Sequence, residues 1–168
     1  MKRIATLLLL TVVLSAHTSA QDASSEKKQI DQYSFRLGAA AAFSEMVSFG
    51  NKKLALSSAI LPEEMEAMAD DLDRVISEQG AMSSLEPDLI VTDLFPADIA
   101  KGKQVRLIYK HETTREEYLA LKKEKEALVR SSNYSGEARK DIARRFGRLL
   151  SYPDTTIEEK IRSNTTNR

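Results

Sequence analysis

Apolar side chains recur at two different periods along this chain, and the changes of period mark out its elements. Ile30, Tyr33, Leu37, Ala40, Ala41, Ser44 and Val47 step by three and four residues, so a first helix is predicted over residues 26–49. Gly38 and the alanines at 39–42 keep that face narrow enough for another element to come close, and Gly50-Asn51 ends it. Met65, Met68, Ala69, Leu72, Val75 and Ile76 repeat the pattern behind Pro62. Proline suits the first helical position, and Glu63, Glu64 and Glu66 complement the positive end of the helix. Gly80 stops this second helix.

Residues 53–60 are a short apolar run bounded by turn signals; 53–57 read as a buried strand, with a continuation of the first helix as the competing reading. Residues 81–87 read as a loop. Asp88-Leu89-Ile90-Val91-Thr92-Asp93-Leu94-Phe95 reads as a strand buried on both faces. Residues 104–109 read as another, with Val105, Leu107 and Tyr109 on one face and Arg106 on the other. The turn at 96–102 has room for one helical turn and is short, so antiparallel pairing of these two strands is the simplest topology.

Thr113 and Thr114, each followed three residues later by Glu116 or Glu117, offer overlapping capping boxes to a charged helix ending at Arg130. Its apolar stripe, Tyr118, Leu121 and Leu128, is thin and predicts a surface position. Tyr134 or Ser135 opens the next helix, which runs to Leu150 with Ala138, Ile142, Phe146, Leu149 and Leu150 inward. Tyr152-Pro153 forces a break. Asp154, Thr155 or Thr156 caps a last helix over residues 157–162, leaving residues 163–168 as a loose tail. These elements define an α+β class: one mostly helical domain over residues 29–162, with about five helices on a sheet of two or three short strands.

Ahead of the domain, Met1-Lys2-Arg3 is a positive head, residues 4–14 an apolar run, and Ser15-Ala16-His17-Thr18-Ser19-Ala20 a small polar tail. That order is the pattern of a secretory signal peptide with cleavage after Ala20, where Thr18 and Ala20 supply the small side chains. A membrane span needs about 20 apolar residues, so an anchor is disfavoured. Residues 21–28 are polar and unpatterned and read as a flexible lead-in. The chain is thereby expected in the periplasm or outside the cell, with no transmembrane segment after cleavage.

Composition narrows the chemistry. There is no cysteine, which excludes disulfides, a thiolate nucleophile, an iron–sulfur cluster and a lipoprotein acylation site. The formal net charge of zero hides two unequal halves. Residues 21–100 hold 6 basic and 15 acidic side chains, and residues 101–168 hold 17 basic and 10 acidic. The halves are expected to attract one another within the fold or in an oligomer.

His17 leaves with the signal peptide, so His111 is the sole imidazole available for acid–base work. A triad of Ser57 or Ser58, His111 and Asp93 can be written, but no Gly-x-Ser-x-Gly elbow surrounds either serine. Asp70, Asp71 and Asp73 lack the spacing of a calcium loop, and no other metal site or cofactor motif is expected; Gly102-Lys103 is not a P-loop. Met65 and Met68, with Met46 and Met82, have soft sulfur but also the spacing of a core stripe. Lys140, Arg144 and Arg148 step by four, with Arg139 and Arg145 alongside, and such a row meets either an anionic ligand or the acidic half of the chain. Asn133-Tyr134-Ser135 and Asn164-Thr165-Thr166 fit the N-glycosylation pattern, relevant only to a eukaryotic source.

The expectation is an exported, non-enzymatic protein that binds a partner protein or a small polar or anionic ligand, not nucleic acid. The place to look is the strand ends: Ser57, Ser58, Asp93, Lys110 and His111, with Arg144 and Arg148 as further ligand contacts; an antiparallel sheet would equally well send Asp93 and His111 to opposite edges. A hydrolase-like enzyme using those same residues is one alternative. A structural or envelope-associated protein is another, for which a large exposed apolar patch on the first helix would speak. Mass determination of protein recovered outside the cytoplasm should find Gln21 as the first residue; an intact Met1 in the membrane fraction would refute export.

Overall fold

A computed structural model describes residues 30–95 and 97–166. The leader at 1–20, the lead-in at 21–28 and the expected helix onset at 26–29 lie outside the described residues. The elements run α1 (Gln32–Ser48), β1 (Leu54–Leu56), α2 (Pro62–Glu78), β2 (Met82–Glu86), a short 3₁₀ turn (Ala97–Ile99), β3 (Val105–Tyr109), α3 (Glu112–Arg130), α4 (Gly136–Leu149) and α5 (Asp154–Thr166). This is the expected α+β domain. No described helix is long and apolar enough to cross a membrane.

β3 is the middle strand, antiparallel to β1 on one side and to β2 on the other, and both Leu54 and Met82 register against Tyr109. Alternation along β3 divides the interior into two cores. Ile108, with Ala55, faces Val47 of α1 and Met65, Met68, Leu72 and Ile76 of α2. Leu107 and Tyr109, with Leu54, face Tyr118 of α3, Phe146 of α4 and Ile157 of α5. The sheet is thus the middle of three layers.

Local chemistry fixes the helix ends. The Asp31 carboxylate accepts the Tyr33 and Ser34 amides and starts α1, and the Ser34 hydroxyl first, then these amides, hold its carboxyl below the usual range. The Lys110 ammonium donates to the Ser48 carbonyl at 2.7 Å, where the α1 dipole is negative. α2 is fastened across the sheet by Asp73, which accepts Ser83 Oγ at 2.7 Å and Arg106 Nη2 at 2.8 Å.

Three expectations change. The second strand is Met82–Glu86, within the stretch read as loop, and residues 88–95 join no ladder. The apolar run is buried, with Leu89, Ile90, Thr92, Asp93 and Leu94 all inside, but burial of a short run does not specify strand pairing. Thr113 and Thr114 are not caps. β3 passes almost directly into α3, whose N-cap is His111, and Thr114 is buried in the first turn. The last helix starts at Asp154 and runs on to Thr166, through residues expected to be tail.

α4 and α5 meet at Gly147. A Cβ placed there would stand 2.6 Å from Ile157 Cγ1 and 2.8 Å from its Cδ1, well inside contact distance. Ile157 is fully buried, so it has little room to retreat. Gly147→Ala should therefore destabilise the fold by about 1–3 kcal/mol, despite alanine's better helix propensity. Urea unfolding measures this, and a neutral or stabilising result would show that the two helices are not held at this separation.

Candidate functional site

The irregular segment between β2 and β3 is buried without a ladder, so side chains must satisfy its backbone. Tyr118 Oη accepts the Ile90 amide at 3.1 Å, and Thr92 Oγ1 accepts that of Leu94 at 3.1 Å. Lys122 Nζ donates to the Asp88 carbonyl at 2.5 Å and pairs at 2.8 Å with Glu86, whose carboxylate also accepts the Asp88 amide. Asn164 Nδ2 of α5 donates to the Asp93 carbonyl at 3.1 Å, and the Asp93 carboxylate pairs with Arg139 of α4. Burial drives the Tyr118 phenol far above its ordinary pKa.

Held this way, the segment roofs an apolar hollow of about 130 Å³ lined by Leu56, Ala59, Ile90, Phe95, Ile99 and Val105, among others. Its one polar lining side chain is Ser57. That hydroxyl already accepts the Arg106 amide at 2.8 Å and donates to the Ser58 carbonyl at 3.1 Å. A second hollow of about 200 Å³ adjoins it, lined by Phe43, Lys52, Ala55, Leu150 and Tyr152. Leu56 and Phe95 line both and stand between them.

Phe95 and Tyr152 meet edge to face, 6.4 Å between ring centroids. Two ammonium groups lie over this pair. Lys160 Nζ is 5.5 Å from the Phe95 centroid and 5.7 Å from that of Tyr152. Lys52 Nζ is 5.2 Å from the Tyr152 centroid and donates to the Leu150 carbonyl at 2.8 Å. Burial lowers the Lys52 pKa and raises that of Tyr152, so a charge on either is poorly solvated here.

The strand-end residues do not converge. Ser57 bonds through its amide to the Arg106 carbonyl, at the start of β3, whereas Lys110 and His111 follow its end. The 5 residues of β3 put roughly 16 Å between them. The Asp93 carboxylate pairs with Arg139 of α4, and Lys110 is engaged at the end of α1. The surroundings of Ser57 are apolar, not the polar mixture expected.

The basic row of α4 is also committed, and mostly to its own half of the chain. Arg144 pairs with Glu137 and, at 2.6 Å, with Glu158; Arg148 pairs with Asp154 at 2.9 Å; Arg145 pairs at 2.8 Å with Glu124. These contacts lift the Arg144 pKa further. The two halves of the sequence do meet through Arg106–Asp73, Lys122–Glu86 and Arg139–Asp93. Met65 and Met68 are core, while Met46 and Met82 are exposed.

Phe95, Tyr152, Lys52 and Lys160 belong to four separate stretches of sequence, and no local motif announces them. Tyr134 closes the far side of the Asp93–Arg139 pair, its phenol raised to about 12, mainly by burial and next by the Asp93 charge. The Asp93 side chain is 3% exposed and that of Arg139 28%. Arg139→Met removes the guanidinium from a buried carboxylate and should cost about 3–5 kcal/mol in urea unfolding. Adding Asp93→Asn should recover part of that loss, because a neutral amide is cheaper to bury than a carboxylate. No recovery would mean that the pair does not anchor the segment by charge.

No protein-family model, curated protein or solved structure matches this chain.

Proposed function

We propose that this is an exported, non-enzymatic binding protein for a small amphiphilic anion: one ring or a short chain carrying a single carboxylate or comparable acid. The observation that carries the reading is the Phe95–Tyr152 pair under two ammonium groups, beside two adjoining apolar hollows. A dry cavity of about 150 Å³ takes a molecule of benzene's size, so hollows of 130 and 200 Å³ suit a small apolar body. Together they fall in the range of small-molecule sites, roughly 300–1,000 Å³. Lys52 is poorly hydrated where it stands, so an incoming anion would gain more from it than from a solvated lysine. The leader pattern supports export. The hydrolase-like alternative rests on Ser57, Asp93 and His111, of which the Ser57 hydroxyl is bonded to the backbone and the Asp93 carboxylate is paired with Arg139.

Calorimetric titration of the mature protein with octanoate, octanol and octylamine tests the proposal. Octanoate should bind, octanol at least about tenfold more weakly and octylamine not detectably, since one charge-assisted contact is worth roughly 1.5–3 kcal/mol. Lys52→Met and Lys160→Met should each weaken octanoate about tenfold and leave octanol unchanged. Ala59→Phe should fill the first hollow and weaken both. Equal binding of octanoate and octanol would remove the lysines from the site, and no binding of either would end the reading.

A second reading is a structural role, as a subunit of an assembly or at the cell envelope. It is favoured by the outer face of α1, where Phe35, Met46 and Phe49 are exposed.

A further inference from the structure

α1 is apolar on two opposite sides. Ala40, Ser44 and Val47 are buried on its inner side. The outer side carries Phe35, Ala39, Ala42, Met46 and Phe49 in alternating four- and three-residue steps, the spacing of a two-helix seam. Phe49 is 76% exposed, Phe35 57%, Met46 39% and neighbouring Phe43 37%. A helix apolar all round is a buried helix, and among the described residues this side has no cover.

Resting on the structural reading, we infer that the outer face of α1 packs against the same face of a second copy, antiparallel, about a two-fold axis at Ala42. That register seats Phe35 beside Phe49 of the second copy and lays Met46 over its Gly38 and Ala39, so large side chains meet small ones. Among the described residues nothing else calls for a glycine at 38. Its backbone is ordinary helix, and a Cβ added to it would meet nothing within 4 Å. Glycine inside a helix is a cost that alanine would remove. A helix of the second copy crossing there supplies the reason for it.

Area and charge agree with this occupant. The exposed fractions of Phe35, Phe43, Met46 and Phe49, with the small residues between them, amount to on the order of 550 Å² per copy. Two copies would bury about 1,100 Å², above the roughly 1,000 Å² that a specific interface clears. A lipid-binding helix would flank its apolar face with lysine and arginine. Here the flanking charge is Glu45, and the basic residue of α1, Arg36, is paired with Glu64 at 2.8 Å.

Light scattering on the mature protein across micromolar to submillimolar concentrations should give a dimer. Gly38→Leu and Met46→Lys should each weaken it at least tenfold with the circular dichroism spectrum unchanged, because neither side chain is needed inside one copy. A monomeric mass throughout, or a dimer that neither variant weakens, overturns the inference. A monomer that sediments with phosphatidylcholine vesicles overturns it in favour of a lipid surface and leaves the structural reading standing. A monomer that ignores vesicles removes both.

Discussion

Everything in this domain depends on β3 being paired on both edges and covered on both faces. β1 and β2 each pair with β3 and not with one another, so the sheet exists only through it. The edge strands are 3 and 5 residues long, too short to stand alone. Ile108 is fully buried on one side and Leu107 nearly so on the other, each worth about 1.5–3 kcal/mol of burial. Removing either would unseat one helix layer, and the other would lose its floor. Polar contacts follow the same strand. Arg106 reaches α2 through Asp73, and Lys110, just past its end, reaches the last turn of α1.

The sequence made the helices legible and misplaced one strand. α2, α3 and α4 announce themselves because a half-buried helix must repeat its apolar residues at its own period, and Leu72, Tyr118 and Ile142 do so. β2 carries no such signal. Met82-Ser83-Ser84-Leu85-Glu86 is an edge strand whose Ser83 and Glu86 are answered by Asp73 and Lys122, polar partners from distant helices. Residues 88–94 have the composition of a central strand, yet the Ile90 and Leu94 amides are met by Tyr118 and Thr92, and the Asp88 and Asp93 carbonyls by Lys122 and Asn164. Hydrophobicity reports burial; the choice of backbone partner is made by residues far away in the chain.

The candidate site was illegible for a related reason. Lys52 leaves α1, Phe95 ends the buried irregular segment, Tyr152 links α4 to α5, and Lys160 lies on α5. Only the packing of α5 on α4 brings the last two to the first two, and Gly147 is what permits that packing to be close. Of the strand-end residues that the sequence singles out, Ser57 lines the first hollow but spends its hydroxyl on the backbone.

Most of the arginines are engaged by carboxylates of the fold itself. Arg36, Arg74, Arg106, Arg115, Arg130, Arg139, Arg144, Arg145 and Arg148 all lie in ion pairs, as suits a planar fork that can meet a carboxylate along two bonds. Lys52, Lys125 and Lys160 lie over aromatic rings, while Lys122 pairs with Glu86 and Arg139 also lies over Tyr134. A ring attracts a cation without neutralising it. The charge on Lys52 and Lys160 therefore remains available to an anion, whereas that of Arg144 or Arg148 is answered within the fold. That difference is why we propose the lysines beside Phe95 and Tyr152, rather than the row of arginines, as the place for an anion.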